Sequence, residues 1–335
     1  MKFGLFGGAL ATSTEASDSQ NYKQFLDYVC AADELGFHSI FVVEHHFTGI
    51  GQVSATLNLL SYLAARTSRI RLGTGVTVLP WHNPALLAEQ IATLDLLSGG
   101  RTDVGVGKGY RPKEFQGFAI PIAEAEQRYE ETLEFLIRAW TEKGRFSHHG
   151  SHWRFDDIVI EPAPVQRPHP PIWIGAKSTP SIQKAAARGF NLLLDHWALA
   201  DEVMARLNVY ANALKAHGRR FEPSRVGLAR AVQITRSEEA RREVIGQRAK
   251  FLLDAGLVTA GPADLQGGGN ANLADLAWQR AEQGAVIGQA EEIIPKLKAL
   301  QAAGVEYVLL ADVGKSTETL REFAAEIMPE LARAS

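Results

Sequence analysis

Three ionisable side chains stand in a row at Glu44-His45-His46, directly after the apolar run Ser39-Ile40-Phe41-Val42-Val43. Such a cluster at the end of a strand is costly unless it is solvated or used. Adjacent residues of an extended chain point to opposite faces, so the three cannot easily converge on one metal ion. Two readings remain. One imidazole faces outward as a general acid/base or hydrogen-bond donor tuned near neutral pH, or one histidine caps a loop or helix carbonyl.

The next two apolar runs end in glycine-rich strings, Gly73-Thr74-Gly75-Val76 and Gly105-Val106-Gly107-Lys108-Gly109-Tyr110-Arg111. Glycine inside a strand marks a bend, tight packing, or close approach of backbone to a ligand. Lys108 and Arg111 beside alternate glycines suit an anion. The spacing fits neither a dinucleotide-binding fingerprint nor a Walker loop. Further on stands Gly175-Ala176-Lys177-Ser178-Thr179-Pro180. Thr179 reads as an N-cap and Pro180 as a first-turn residue. The helix start then offers free N–H groups and the Ser178 and Ser181 hydroxyls, as a phosphate cradle or as an ordinary capped helix. Lys108 is placed to serve the same anion from a neighbouring strand end. Phe6, Tyr110, His196 and Trp197 at other strand ends offer flat walls for a planar ring system, or fill the core.

The elements that must hold these residues alternate short apolar runs with amphipathic stretches. Strands are expected at 3–6, 39–43, 70–79, 102–106, 172–175, 190–194, 226–234 and 305–311. Between and after them lie helices at 20–36, 53–67, 84–98, 123–142, 180–188, 199–217, 237–256, 289–303 and 316–332. Asn83-Pro84 opens the third helix as cap and first-turn proline. Near-continuous apolar strands covered by helices imply parallel β structure buried on both faces. Eight such steps favour a closed α/β barrel, a (β/α)8 or TIM barrel, over an open sheet. Two segments break the rhythm. Residues 144–171 read as a β-like insertion with a proline-rich return. Residues 258–288, with Gly267-Gly268-Gly269, are either a mobile lid or a disordered excursion. The whole of 1–335 reads as one domain.

Composition bounds the function. The chain has 335 residues, 46% of them hydrophobic, and a net charge of −3, which gives no bias toward nucleic acid. Cys30 is the only cysteine, so an internal disulfide and any multi-cysteine metal site are excluded. No metal is expected. One thiol fits a reducing cytoplasm. No signal-peptide pattern opens the chain and no apolar stretch of about 18 residues exists, so no membrane role is expected.

At Glu44 to Gly51 the sequence resembles the α subunit of bacterial luciferase and its luciferase-like monooxygenase relatives. The resemblance extends to Met1 to Gly4, Gly73 to Pro80, Ser98 to Arg101, Gly107 to Tyr110 and the Ala176 to Ser181 loop. It covers nearly the whole chain in order. It implies a TIM barrel, dimeric as a homodimer, that takes reduced FMN as a cosubstrate from a separate NAD(P)H:flavin reductase. His45 resembles the residue that assists the flavin chemistry. The Gly75-Val76 step resembles a cis non-proline peptide against the isoalloxazine. Lys108 stands where luciferase has an arginine that holds the flavin phosphate, and keeps the charge without the fork. Tyr110, Ala176, Lys177, Ser178 and Ser181 complete the cofactor-binding set, with Lys177 replacing an acidic residue. Gly107 stands where luciferase carries a reactive cysteine. The 258–288 segment matches the family's mobile lid.

The expected activity is therefore transfer of one oxygen atom of O2 to a small organic substrate, beside Trp81, Tyr110 and Trp197. Two alternatives share the same features. One is hydride transfer with the deazaflavin F420; the other is a non-catalytic flavin-binding protein.

Overall fold

The computed structural model describes residues 1–9, 17–47, 49, 53–254, 258, 272–312 and 316–332. Its strands are β1 (Lys2–Gly7), β2 (Ser39–Val42), β3 (Arg71–Thr74), β4 (Thr77–Val78), β5 (Thr102–Gly107), β6 (Phe146–His149), β7 (Arg154–Ile158), β8 (Ile172–Gly175), β9 (Asn191–Leu194), β10 (Val226–Ile234), β11 (Ala285–Gly288) and β12 (Tyr307–Asp312). Neighbours in the main sheet run β11-β10-β12-β1-β2-β3-β5-β8-β9, and β9 also pairs with β10. That last pairing closes eight strands into the ring of a (β/α)8 barrel. The strands β2, β9 and β11 are buried along their full length, as the apolar runs require. Among the described residues no helix is long and apolar enough to cross a membrane.

The chain packs as two compact units, one of Gly4–Ala176 with Phe190–Leu193, the other of Met1–Phe3, Lys177–Gly189 and Leu194–Ser335. In the first, Phe41 of β2 pairs in register with Gly73 of β3. A Cβ at Gly73 would lie 2.6 Å from the Phe41 ring, so glycine there lets the ring cross the neighbouring strand. Phe41 meets Trp173 edge to face at 5.5 Å. The Trp173 indole donates to Asp103, which Arg71 also grips at 2.7 and 2.9 Å. Buried polar groups are thus paired rather than left bare. Asn83 caps the helix Pro84–Leu97 by accepting from the N–H groups of Ala85 and Leu86. Residues 144–171 contain the antiparallel hairpin β6–β7, as the β-like reading expects.

In the second unit, the helices Glu238–Asp254 and Leu273–Gln283 share a core of Ala231, Ile245, Leu252, Ala277, Ala281 and Ile287. The N-terminus is tied down here. The Met1 amino group donates to the Leu331 carbonyl, and Lys2 N–H to that of Glu306.

Four local readings are corrected. The run 70–79 is not one strand: it breaks after β3 at a cis Gly75–Val76 peptide, resumes as β4, and turns into a 3-10 helix at Leu79–Trp81. A six-residue helix, Pro112–Gly117, follows β5, and proline at its first position needs no N–H partner. The segment read as 258–288 contains the helix Leu273–Gln283 and strand β11, while residues 259–271 lie outside the described residues. The final helix is interrupted by a π turn at Phe323–Ile327, ahead of Pro329, which has no N–H to donate back to residue 325.

Candidate active site

Glu44 lies two residues past the end of β2 and is 4% exposed. Its Oε1 accepts from His46 Nε2 at 3.0 Å, His82 Nε2 at 2.8 Å and Trp81 Nε1 at 2.8 Å. Its Oε2 accepts from the Val78 N–H at 3.2 Å. Burial by itself would raise this carboxyl, but the donors from His46, His82 and Trp81 hold it down to about 2. It is an anion at neutral pH and can only accept, so both histidine nitrogens facing it carry their protons. Trp81 in turn stacks on Phe118 at 5.1 Å and meets Phe115 at 5.0 Å.

His45 turns the other way, as alternation requires. Its Nδ1 lies 2.9 Å from Glu114 Oε1, which also accepts from the His46 N–H at 3.0 Å. The Glu114 side chain is 4% exposed. Burial raises its carboxyl, and the His45 and His46 hydrogen bonds outweigh that and lower it. A Glu114 carboxylate places the proton on Nδ1 of His45 and leaves the Nε2 lone pair open. This is an imidazole oriented by a buried acid, the arrangement a general acid/base needs.

The strand that leads into Glu44-His45-His46 also positions the Gly75–Val76 step, since Gly75 N–H donates to the Val42 carbonyl at 2.7 Å. The glycines around it have a packing reason. A Cβ at Gly107 would lie 2.6 Å from Val76 Cγ2, one at Gly175 3.1 Å from Val76 Cγ1, and one at Gly105 1.8 Å from the Thr74 carbonyl oxygen. The ends of β5 and β8 are thus stripped of side chains to seat the Val76 isopropyl group. Val76 keeps part of its surface exposed. The result is a firm apolar step at strand ends, a surface that fits a flat ring.

Lys108 follows β5 and pairs with Glu126 Oε2 at 2.9 Å, both side chains being about half exposed, at 49% and 52%. Tyr110 is 65% exposed, with the Arg111 guanidinium over its ring. Ala176 is buried and donates weakly to the Leu193 carbonyl at 3.4 Å.

In the second unit, Lys177, Ser178 and Ser181 are exposed at the start of the helix Thr179–Arg188. The N-cap is Ser178, not Thr179, because Ser178 has the extended backbone and helical geometry begins one residue earlier than read. Neither hydroxyl caps the backbone: Ser178 Oγ donates to Ser181 Oγ at 2.9 Å. The first-turn N–H groups keep their positive end toward solvent. After β9 come Asp195, His196 and Trp197, ringed by Arg206, Arg230 and Arg248.

Glu114 and His82 escaped the sequence reading, and Glu44 was seen only as one of three neighbours. An acid six residues past Lys108 was the available signal for Glu114, but its partner is 69 positions away.

The family model for luciferase-like monooxygenases matches residues 1–307. The chain is 29% identical to the oxygenase component of a flavin-dependent trigonelline monooxygenase of Acinetobacter baylyi, over 98% of this chain and 95% of that one. It is 30% identical to an FMNH2-dependent dimethylsulfone monooxygenase of Pseudomonas putida, over 74% of this chain and 70% of that one. The crystal structure of monooxygenase RslO1 from Streptomyces bottropensis superposes with a TM-score of 0.84 at 27% identity, covering 98% of this chain and 99% of that one. The chain belongs to the luciferase-like monooxygenase family, and its activity is that of an FMN-dependent monooxygenase.

Proposed function

We propose that this enzyme transfers one oxygen atom of O2 to a small organic substrate, with His45 as its acid/base residue. The observation that carries this is the contact of His45 Nδ1 with buried Glu114, just past the strand whose Val42 carbonyl fixes Gly75. Reduced FMN, when bound, supplies the electrons that activate dioxygen. The protein's part is to place and shield. Val76, backed by Gly107 and Gly175, offers the ring its flat support. His45 Nε2 holds or delivers a proton. Lys108, and separately Ser178 and Ser181 with Ala176 and Lys177 beside them, are proposed as phosphate-side contacts, and Tyr110 as a further flavin neighbour.

A separate NAD(P)H:flavin reductase supplies the reduced cofactor in this reading, and the reducing cytoplasm suits the lone thiol Cys30. A homodimer is supported by exposed apolar residues on two early helices: Tyr62, Leu86, Leu96 and Leu97 are 45–60% exposed.

Anaerobic titration with reduced FMN and with reduced F420, followed by oxygen-electrode measurements over a substrate panel, tests the reading. Reduced FMN is expected to bind and oxygen uptake to become substrate-dependent. Tighter binding of F420 with no oxygen uptake would assign hydride transfer instead.

A further inference from the structure

Among the described residues, the loop after β9 and the helix Glu238–Asp254 hold more positive charge than the neighbouring carboxylates pair. Asp195 is fully engaged: its Oδ1 accepts from the Trp197 N–H at 3.0 Å and its Oδ2 from Arg206 at 2.9 Å. Glu202 takes both ends of Arg280, at 3.0 and 3.2 Å. Two buried arginines remain. Among the described residues Arg230, 3% exposed, reaches carbonyls alone, Ala229 at 3.1 Å and Asp195 at 3.4 Å. Arg248, 7% exposed, has one long contact from Nε to the Ala281 carbonyl at 3.5 Å. Its Nη2 is buried with no hydrogen-bond partner among the described residues.

A buried cation with no carboxylate within hydrogen-bond reach is costly. Both arginines show that cost: burial, and for Arg248 the neighbouring Arg230, hold each guanidinium down to about 10. They remain charged at neutral pH. His196 does not: burial first, then Arg248 and Arg230, push its imidazole down to about 3, so it is neutral.

The directions of the side chains are informative. Ala231 belongs to the core under the two helices, so Arg230, its neighbour on β10, points to the opposite face of the strand. Arg248 lies with its guanidinium carbon 4.8 Å from the Trp197 ring centroid, so the indole covers a face of the cation. The edge of the fork, where the N–H groups lie, is what an anion would meet. A planar fork with paired donors matches a carboxylate, and a neutral imidazole adds a hydrogen bond without adding charge.

We infer that Arg248, reinforced by Arg230 and His196, binds the carboxylate of an organic anion.

The test is calorimetric titration of the full-length protein with benzoate and with benzamide, which share a shape and differ in charge. Wild type is expected to bind benzoate at least about tenfold more tightly. R248M should lose about tenfold to a hundredfold in benzoate affinity, the usual worth of a hydrogen bond to a charged group, and leave benzamide unchanged. R248K keeps the charge without the fork and should fall between. Equal binding of the two probes by wild type would overturn the inference, as would unchanged benzoate affinity in a folded R248M. Should R248M fail to show a cooperative melt, the wild-type probe pair and R248K decide. Displacement of benzoate by FMN, abolished in R248M, would give the site to the flavin phosphate and also overturn it.

Discussion

Replacing Glu44 with Gln tests whether the hub beside His45 is held by charge. The wild-type carboxyl falls from its ordinary 4.5 to about 2 on folding. At about 1.4 kcal/mol per pH unit that is about 3 kcal/mol of stability, with no solvent discount because the group is buried. A depressed carboxyl stabilises the fold above its unfolded value of 4.5, and the contribution is lost as pH falls from there toward 2. Gln keeps one accepting oxygen but puts an amide among four N–H donors that all require an acceptor. Urea denaturation of wild type and E44Q at pH 7, 5 and 3 reads the difference directly. The gap should be about 3 kcal/mol at pH 7, nearly the same at pH 5, and clearly smaller at pH 3. A gap under about 1 kcal/mol at pH 7, or one that does not narrow on acidification, would refute the charged hub.

H45A should slow turnover by about 10²–10⁴-fold while changing flavin affinity little, read by steady-state oxygen uptake beside a flavin titration. E114Q should displace the pH–rate profile, because the carboxylate that fixes the His45 proton is gone; an unshifted profile would remove Glu114 from that role. K108M should weaken FMN binding by about tenfold or more, and E126Q should tighten it, since the Glu126 carboxylate competes for the same ammonium group. Neither change should move the melting temperature measurably, because the pair is half exposed. G105A should be far more damaging than G107A: the first meets a backbone oxygen at 1.8 Å, the second a methyl group at 2.6 Å that can shift for about 1–3 kcal/mol. Soluble yield and melting temperature separate the two.

Much of the barrel was legible because its strands are buried on both faces and its helices keep one apolar stripe, so period and length suffice. The Asn83 cap and the hairpin in 144–171 were legible for the same local reasons. What was hidden is non-local. Glu114 and His45 meet only once the chain has closed a loop of 69 positions. The glycines at 105 and 107 were open to a bend, tight packing or a ligand's approach; each, like Gly175, makes room for Thr74 or Val76. Arg248 lies in a run of charged residues from Glu238 to Lys250, where nothing in the pattern separates a buried arginine from its solvated neighbours.

The seating of Val76 against two bare strand ends ties three positions into one mutational unit. A side chain at position 107 is installed only at a cost, because its first carbon lies 2.6 Å from the isopropyl group. Trimming residue 76 to alanine first, or together with it, removes that cost. Redesign of this mouth, whether by selection in the laboratory or by descent, is therefore easiest through position 76.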